Sequence, residues 1–317
     1  MNSEVLKKSN IITFHEKGYK GQGVTVAVLD TLHSPLEETE VELPFKENHN
    51  GEIGHNTHVC SIVREFAPKA RIISMPWFGS GKEEMAQWIV DNDVDIVNCS
   101  FTATRPTYEL IDEYLSGLNI PLVCSSGNQD NDRISFPARF DWTIAVGAYQ
   151  KRWGHVAGYS NRGEMLDAVA FTDINVPNPN NKQNGYMSFG GTSASAPAVC
   201  GMLACYMSAL GEKLNTDQAR RFIHDNCIDK YEEGFDTRSG HGLFILPDVP
   251  EMKENPVKEE VREVSQVKFA DVEGHWAQTA IENQAKKGKL AGYPDGTFKP
   301  NETVTRAELA VILERLK

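Results

Sequence analysis

Three residues whose types could share one reaction are Asp30, His55 and Ser193: an acid, a base and a nucleophile, in that chain order. Ser193 lies in Gly190-Gly191-Thr192-Ser193-Ala194-Ser195-Ala196-Pro197, where two glycines allow a tight turn and a long apolar run, 196–210, follows. That run is too short to span a membrane and contains Pro197 and Gly201, so a buried core helix is expected. A helix beginning near Ser193 puts the hydroxyl among unpaired N–H groups that favour developing negative charge. Small neighbours leave room for a substrate. Each residue also has a plain structural use. Ser193 could cap the helix and Asp30 the turn that follows it. His55 and His58, spaced i, i+3, could share a face and bind a metal, although no further ligands stand nearby in a recognisable pattern.

The elements that would carry these groups alternate. Residues 24–29 form a short, β-branched apolar run ending in Asp30, read as a buried strand that delivers an acid at its C-terminal end. A polar excursion, 33–52, leads to a helix start at Gly54-His55-Asn56-Thr57-His58. Strands are expected at 71–75, 94–98, 120–124, 143–147 and 167–171, with helices at 82–92, 107–118 and 216–227 and a closing turn and short strand at 239–245. Alternation of this kind predicts βαβ units and a mostly parallel sheet covered on both faces, a three-layer α/β fold. The loops bearing Asp30, Ser100-Phe101-Thr102 and Ser125-Ser126-Gly127-Asn128 should converge on one sheet edge.

At 317 residues the chain is long enough for one large domain and one small one. A net charge of −12 and the lack of a basic stretch argue against nucleic acid. The first twenty residues hold no long apolar segment, so neither a signal peptide nor a membrane span is expected. Six cysteines, at 60, 99, 124, 200, 205 and 227, form no CxxC pair and mostly fall in core-like runs. They read as free thiols rather than disulfides or a zinc site, which favours a reducing compartment and cytoplasmic synthesis.

Val26-Ala-Val-Leu-Asp-Thr31, Gly54-His-Asn-Thr-His-Val59, Ser126-Gly-Asn128 and Gly191-Thr-Ser-Ala-Ser-Ala-Pro197 resemble the four signature blocks of the subtilisin-like serine proteases. Tyr159-Ser-Asn-Arg-Gly163 and Ser239-Gly-His-Gly-Leu243 are similar to lesser landmarks, and the likeness covers about residues 10–248. It implies a serine endopeptidase acting on polypeptides. Ser193 would attack the scissile carbonyl, His55 would take its proton and later give it to the leaving amine, and Asp30 would orient the imidazole. Asn128 would donate its amide to the oxyanion with the Ser193 N–H. Ser100, Phe101 and Thr102, with Ser125, Ser126 and Gly127, would bind the peptide backbone and wall the first specificity pocket, and Ser135 would form a small, polar base. Asn56 and Leu32 stand where the family usually has glycine, and Ala194 where it has methionine. The stretch between Val63 and Pro68 is too short for the loop that carries the family's strong calcium site, so no cofactor is expected beyond weak calcium binding elsewhere. No pro-domain precedes the unit in this sequence.

Residues 249–266, rich in Pro, Glu, Lys and Val, read as a solvated linker. Beyond it, Lys268-Phe-Ala-Asp-Val272, His275-Trp276, Gly292-Tyr-Pro-Asp-Gly-Thr-Phe-Lys-Pro-Asn301 and Val304-Thr-Arg-Ala-Glu308 predict helix, loop, helix. Thr305 and Glu308 fit a capping box, and Leu309, Ile312, Leu313 and Leu316 a core stripe. Residues 267–317 resemble a single, small α-helical S-layer homology module. The family implies attachment to secondary cell-wall polysaccharide at the envelope, with Trp276 and Arg306 near the glycan. Such modules usually act in threes, so one copy implies either a homo-oligomer or a docking piece. The sequence thus supports two functions: a tethered endopeptidase, or an inactive protease fold that binds through its cleft or module.

Overall fold

A run such as 24–29 has no polar face, so it is stable only where both sides of a sheet are covered. The computed structural model describes residues 2–250 apart from 79, 106 and 179–184, and between 269 and 305 all but 276, 279–280, 282–283, 286–289, 291 and 294–295. In it the run becomes β1 (Thr25–Asp30), buried throughout. Two short helices that the sequence did not announce, α1 (Ser3–Lys8) and α2 (Ile11–Glu16), come first and bury Val5, Ile11 and Phe14. After β1 follow α3 (His55–Phe66), β2 (Arg71–Pro76), α4 (Lys82–Asp91), β3 (Ile96–Cys99), α5 (Thr107–Leu115), β4 (Leu122–Ser125) and β5 (Ile144–Gln150). Then come β6 (His155–Val156), β7 (Ala168–Phe171), β8 (Ile174–Pro177), β9 (Tyr186–Phe189), α6 (Thr192–Leu210), α7 (Thr216–Asp225), β10 (Cys227–Ile228) and β11 (Leu243–Phe244).

The main sheet runs β10-β11-β7-β5-β4-β3-β1-β2, with β6 paired to β5. All its pairings are parallel except β10 with β11 and β5 with β6. The predicted α/β fold with a mostly parallel sheet is therefore present. Its order explains the site. From β1 the chain steps outward to β2, then returns past β1 to β3. Right-handed crossovers then put α3 on one face and α4 and α5 on the other. The loops leaving β1 and β3 diverge towards opposite faces and leave a crevice at the strands' carboxyl ends, where open α/β sheets bind ligands. Register sets the level of that crevice: Leu29 pairs with Cys99 and Cys99 with Cys124, so Asp30, Ser100 and Ser125 lie in one row. The apolar run of α6 packs on α3 and across β3, β4, β5 and β7, and almost all of it is buried. All six cysteines are free, five of them buried.

By contact the chain divides into Met1–Lys253 and Glu254–Lys317. Val249, assigned from sequence to the linker, is buried in the core of the first unit; the linker from 251 onward lies outside the described residues. The second unit has its own small core of Phe269, Val272 and Ile281, with Phe298 packed on it. Asp271 accepts hydrogen bonds from the Phe298 and Lys299 N–H groups at 2.8 and 2.6 Å. Trp276, Arg306, Glu308 and the 309–316 stripe lie outside the described residues, and the helical character expected of this unit rests largely on them.

Candidate active site

Asp30 closes β1 with no exposed surface, and its Oδ1 meets His55 Nδ1 at 2.8 Å and accepts the Thr31 N–H at 2.7 Å. Its other oxygen is buried without a partner among the described residues. The imidazole is the counter-charge that remains. Burial pulls the His55 pKa down, but the charge and hydrogen bond of Asp30 outweigh it, and the net shift is upward. His58, one turn on, moves the other way through burial and the nearby His55 and His33. Both rings pack on Phe189 at the end of β9, at centroid distances of 5.3 and 5.1 Å. The face shared by His55 and His58 is thus occupied by an aromatic ring, and His55 Nδ1 by a carboxylate.

Asn56, where the family usually has glycine, is fully buried. Its amide donates to the Ser74 hydroxyl and the His33 carbonyl, both at 2.8 Å, and to the Thr31 carbonyl at 3.3 Å. The larger side chain fastens the loop after Asp30 to the helix that starts with His55. Leu32 is half-buried, and its carbonyl accepts the Asn50 N–H at 2.9 Å.

Ser193 is the second residue of α6, after Gly191 at φ 82°. A Cβ on Gly191 would come within 3.1 Å of the Asn128 amide nitrogen, so only glycine lets the two segments approach this closely. Asn128 Oδ1 accepts the Thr192 N–H at 2.9 Å and the Thr192 hydroxyl at 3.0 Å. With its oxygen fixed, its NH2 is the end that could donate to a bound group, beside the first-turn N–H of Ser193 that a helix leaves unpaired. The Ser193 hydroxyl donates to the Ser100 carbonyl at 2.9 Å, and the Ser100 hydroxyl donates back to the Ser193 carbonyl at 3.1 Å. That carbonyl is free to accept because Pro197, four residues on, has no N–H. Among the described residues no hydrogen bond joins Ser193 to His55.

One open groove of about 300 Å³ is lined by His55, Ser193, Asn128, Ser100, Phe101, Thr102, Ser125 and Gly127, together with Thr31 and Phe78. Asp30 stands behind the histidine. Ser126 is buried with its hydroxyl near the Asn161 carbonyl, and its N–H donates to the Val146 carbonyl. Ser135 lies under Gly127 and bonds to the Asn161 amide at 3.0 Å. Residues for which the sequence suggested no role brace this frame. The Tyr159 hydroxyl accepts the Gly191 N–H at 3.1 Å, and the Thr172 hydroxyl donates to the Gly191 carbonyl at 2.9 Å. Asn161 Oδ1 accepts the Gln129 and Asn131 N–H groups. The Tyr159–Gly163 block was visible as a landmark, without a role.

Residues 21–242 match the subtilase family. The chain belongs to that family. Residues 268–310 match the S-layer homology domain. The subtilase unit is 27% identical over 236 residues to a thermostable alkaline protease of Halalkalibacterium halodurans, covering 67% of this chain and 64% of that one. It is 26% identical over 225 residues to subtilisin E of Bacillus subtilis, covering 61% and 58%. The chain thus spans less than two thirds of the length of these relatives. Among solved structures, a lanthipeptide protease superposes with a TM-score of 0.60 at 18% identity, covering 76% of this chain and 92% of its own. A cold adapted subtilisin-like serine proteinase gives 0.57 at 22% identity, covering 73% and 92%. Both show the subtilase fold.

Proposed function

We propose that the larger unit is a serine endopeptidase that hydrolyses polypeptides through Ser193, His55, Asp30 and Asn128. The observation that carries this is the convergence of an Asp30–His55 pair at 2.8 Å, a nucleophile at the buried start of α6 and an amide clamped beside it on one groove. A turn about the Ser193 Cα–Cβ bond takes its hydroxyl from Ser100 to the imidazole, which accepts the proton as the oxygen attacks the carbonyl. Asp30 stabilises the imidazolium so formed. The Asn128 NH2 and the Ser193 N–H receive the oxyanion. The imidazolium then protonates the leaving amine, and water, activated by the same base, releases the acyl group.

The hydrogen bond from Ser193 to Ser100 favours the rival reading, an inactive fold that binds peptides. Covalent labelling with a fluorophosphonate probe decides between them, with the adduct located by mass spectrometry. A native-only adduct on Ser193, absent after heat unfolding and in Ser193→Ala, supports the peptidase. No adduct on a folded chain supports the binder. The S-layer homology module, in the same proposal, attaches the chain to cell-wall polysaccharide at the envelope through Trp276 and Arg306. Sedimentation with purified walls tests this: Trp276→Ala and Arg306→Ala should reduce binding, and binding unchanged in both would sink the assignment.

A further inference from the structure

The family resemblance implies a calcium ion at the turn between α3 and β2, and the residues present do not form such a site. Only residues 67–70 join the two elements. Beside them the half-buried Arg64 guanidinium donates four hydrogen bonds, every one to a backbone carbonyl. Nε reaches Thr39 at 2.8 Å, Nη2 reaches Glu40 at 3.1 Å, and Nη1 reaches both Pro68 and Ala70 at 2.9 Å. Two segments, 39–40 and 68–70, are gathered on one cation.

Calcium takes six to eight oxygens, usually with carboxylates among them. The acceptors converging here are four neutral carbonyls, which suit the planar fork of a guanidinium. Of the nearby acids, Glu42 forms a two-pronged pair with Arg71 and Glu65 accepts from Asn2, while the charge of Glu40 acts on the Arg64 guanidinium itself. The Thr39 hydroxyl donates to the Leu36 carbonyl. Among the described residues, no group of three or more His, Cys, Asp or Glu could hold a metal ion.

We infer that Arg64 is a built-in cation that takes the structural place of the family's calcium, so that the loop between Asp30 and His55 is anchored without metal. The consequence reaches the site, because the same loop carries His33, whose ring nitrogen accepts the His55 N–H at 3.2 Å.

The test is thermal unfolding of the full chain, followed by circular dichroism, in a Ser193→Ala background that prevents self-digestion. It is run without additive, with excess EDTA and with millimolar calcium. The three midpoints should coincide within about 1 °C. Arg64→Met, which keeps the stem and removes the fork, should lower the midpoint by about 5–10 °C. Arg64→Lys should recover only part of that loss, since one ammonium cannot span four carbonyls. A midpoint that falls by several degrees in EDTA and returns with calcium would overturn the inference, as would an Arg64→Met midpoint equal to that of the parent. Should Arg64→Met not fold, the EDTA comparison on the parent decides alone. None of these readings depends on hydrolysis.

Discussion

Among the described residues, two aspartate–histidine pairs share the same 2.8 Å contact, Asp30–His55 and Asp167–His224, at opposite edges of one sheet. Asp30 ends β1, whereas Asp167 precedes β7, so the second pair sits at the amino ends of the strands. Their surroundings differ. Asp167 also meets the Arg220 guanidinium at 3.2 Å and accepts the Ala145 N–H at 2.7 Å, and His224 is stacked on His241 at 3.8 Å. Its charge is answered by a permanent cation. Asp30 has one mobile proton to answer it, on His55, and beyond His55 lies a groove lined by Ser193. An aspartate–histidine pair is therefore not by itself a catalytic device. What stands on the far side of the imidazole decides, and so does whether another cation relieves the carboxylate.

Ser193→Ala should break the contrast most sharply, lowering peptide hydrolysis by about 10⁶-fold, while His224→Gln leaves the rate within about twofold. Asp30→Asn should cost about 10⁴-fold in kcat, because the wrong tautomer is then held. Asp167→Asn should leave kcat alone and instead lower stability by about 3 kcal/mol in denaturant titration, having left Arg220 with only the exposed Asp217 as its acidic partner among the described residues. Equal kinetic losses at Asp30 and Asp167 would erase the distinction. Asn128→Ala should lower kcat by about 10² to 10³ with little change in KM, since its NH2 serves a charge that exists only in the transition state.

The smallest effect is in pH. His55 must be neutral to accept a proton, and its pKa is raised, so kcat/KM should rise through a midpoint above the ordinary histidine value of about 6.5. Stability runs in the opposite sense. The protonated pair adds stability that is complete below the unfolded-state value and is lost as pH climbs through the raised one. A kcat/KM profile of parent and His224→Gln should show the same acid limb in both.

Much of this frame was legible in the chain. The apolar, β-branched run before Asp30 and the glycine pair before Ser193 have few physical alternatives, and alternation with helices fixed the sheet class. Short elements escaped. α1 and α2 are too brief for a helical period to emerge, and the β8–β9 hairpin, which brings Phe189 onto His55, carries its pattern over only four residues a strand. The bracing by Tyr159, Asn161 and Thr172 was hidden for another reason. Hydroxyls and amides that bond across more than fifteen residues leave no local spacing to read. Asn56 stands where the family usually has glycine, and its amide bonds the loop in place. Asn56→Ala should cost about 1–3 kcal/mol of stability.

If the proposed mechanism holds, the reciprocal bonds between Ser100 and Ser193 bear on when during synthesis the chain would gain the power to cut. The two bonded residues are 93 positions apart. During synthesis, acid, base and groove wall emerge long before the serine does, and the serine is seated only once its helix docks on a strand made much earlier. A helix slipped by one turn would also bring a different carbonyl to Ser100, one already committed within the helix. Under the proposed mechanism, cutting power would thus be among the last properties the folding chain acquires, and a misassembled copy would lack it.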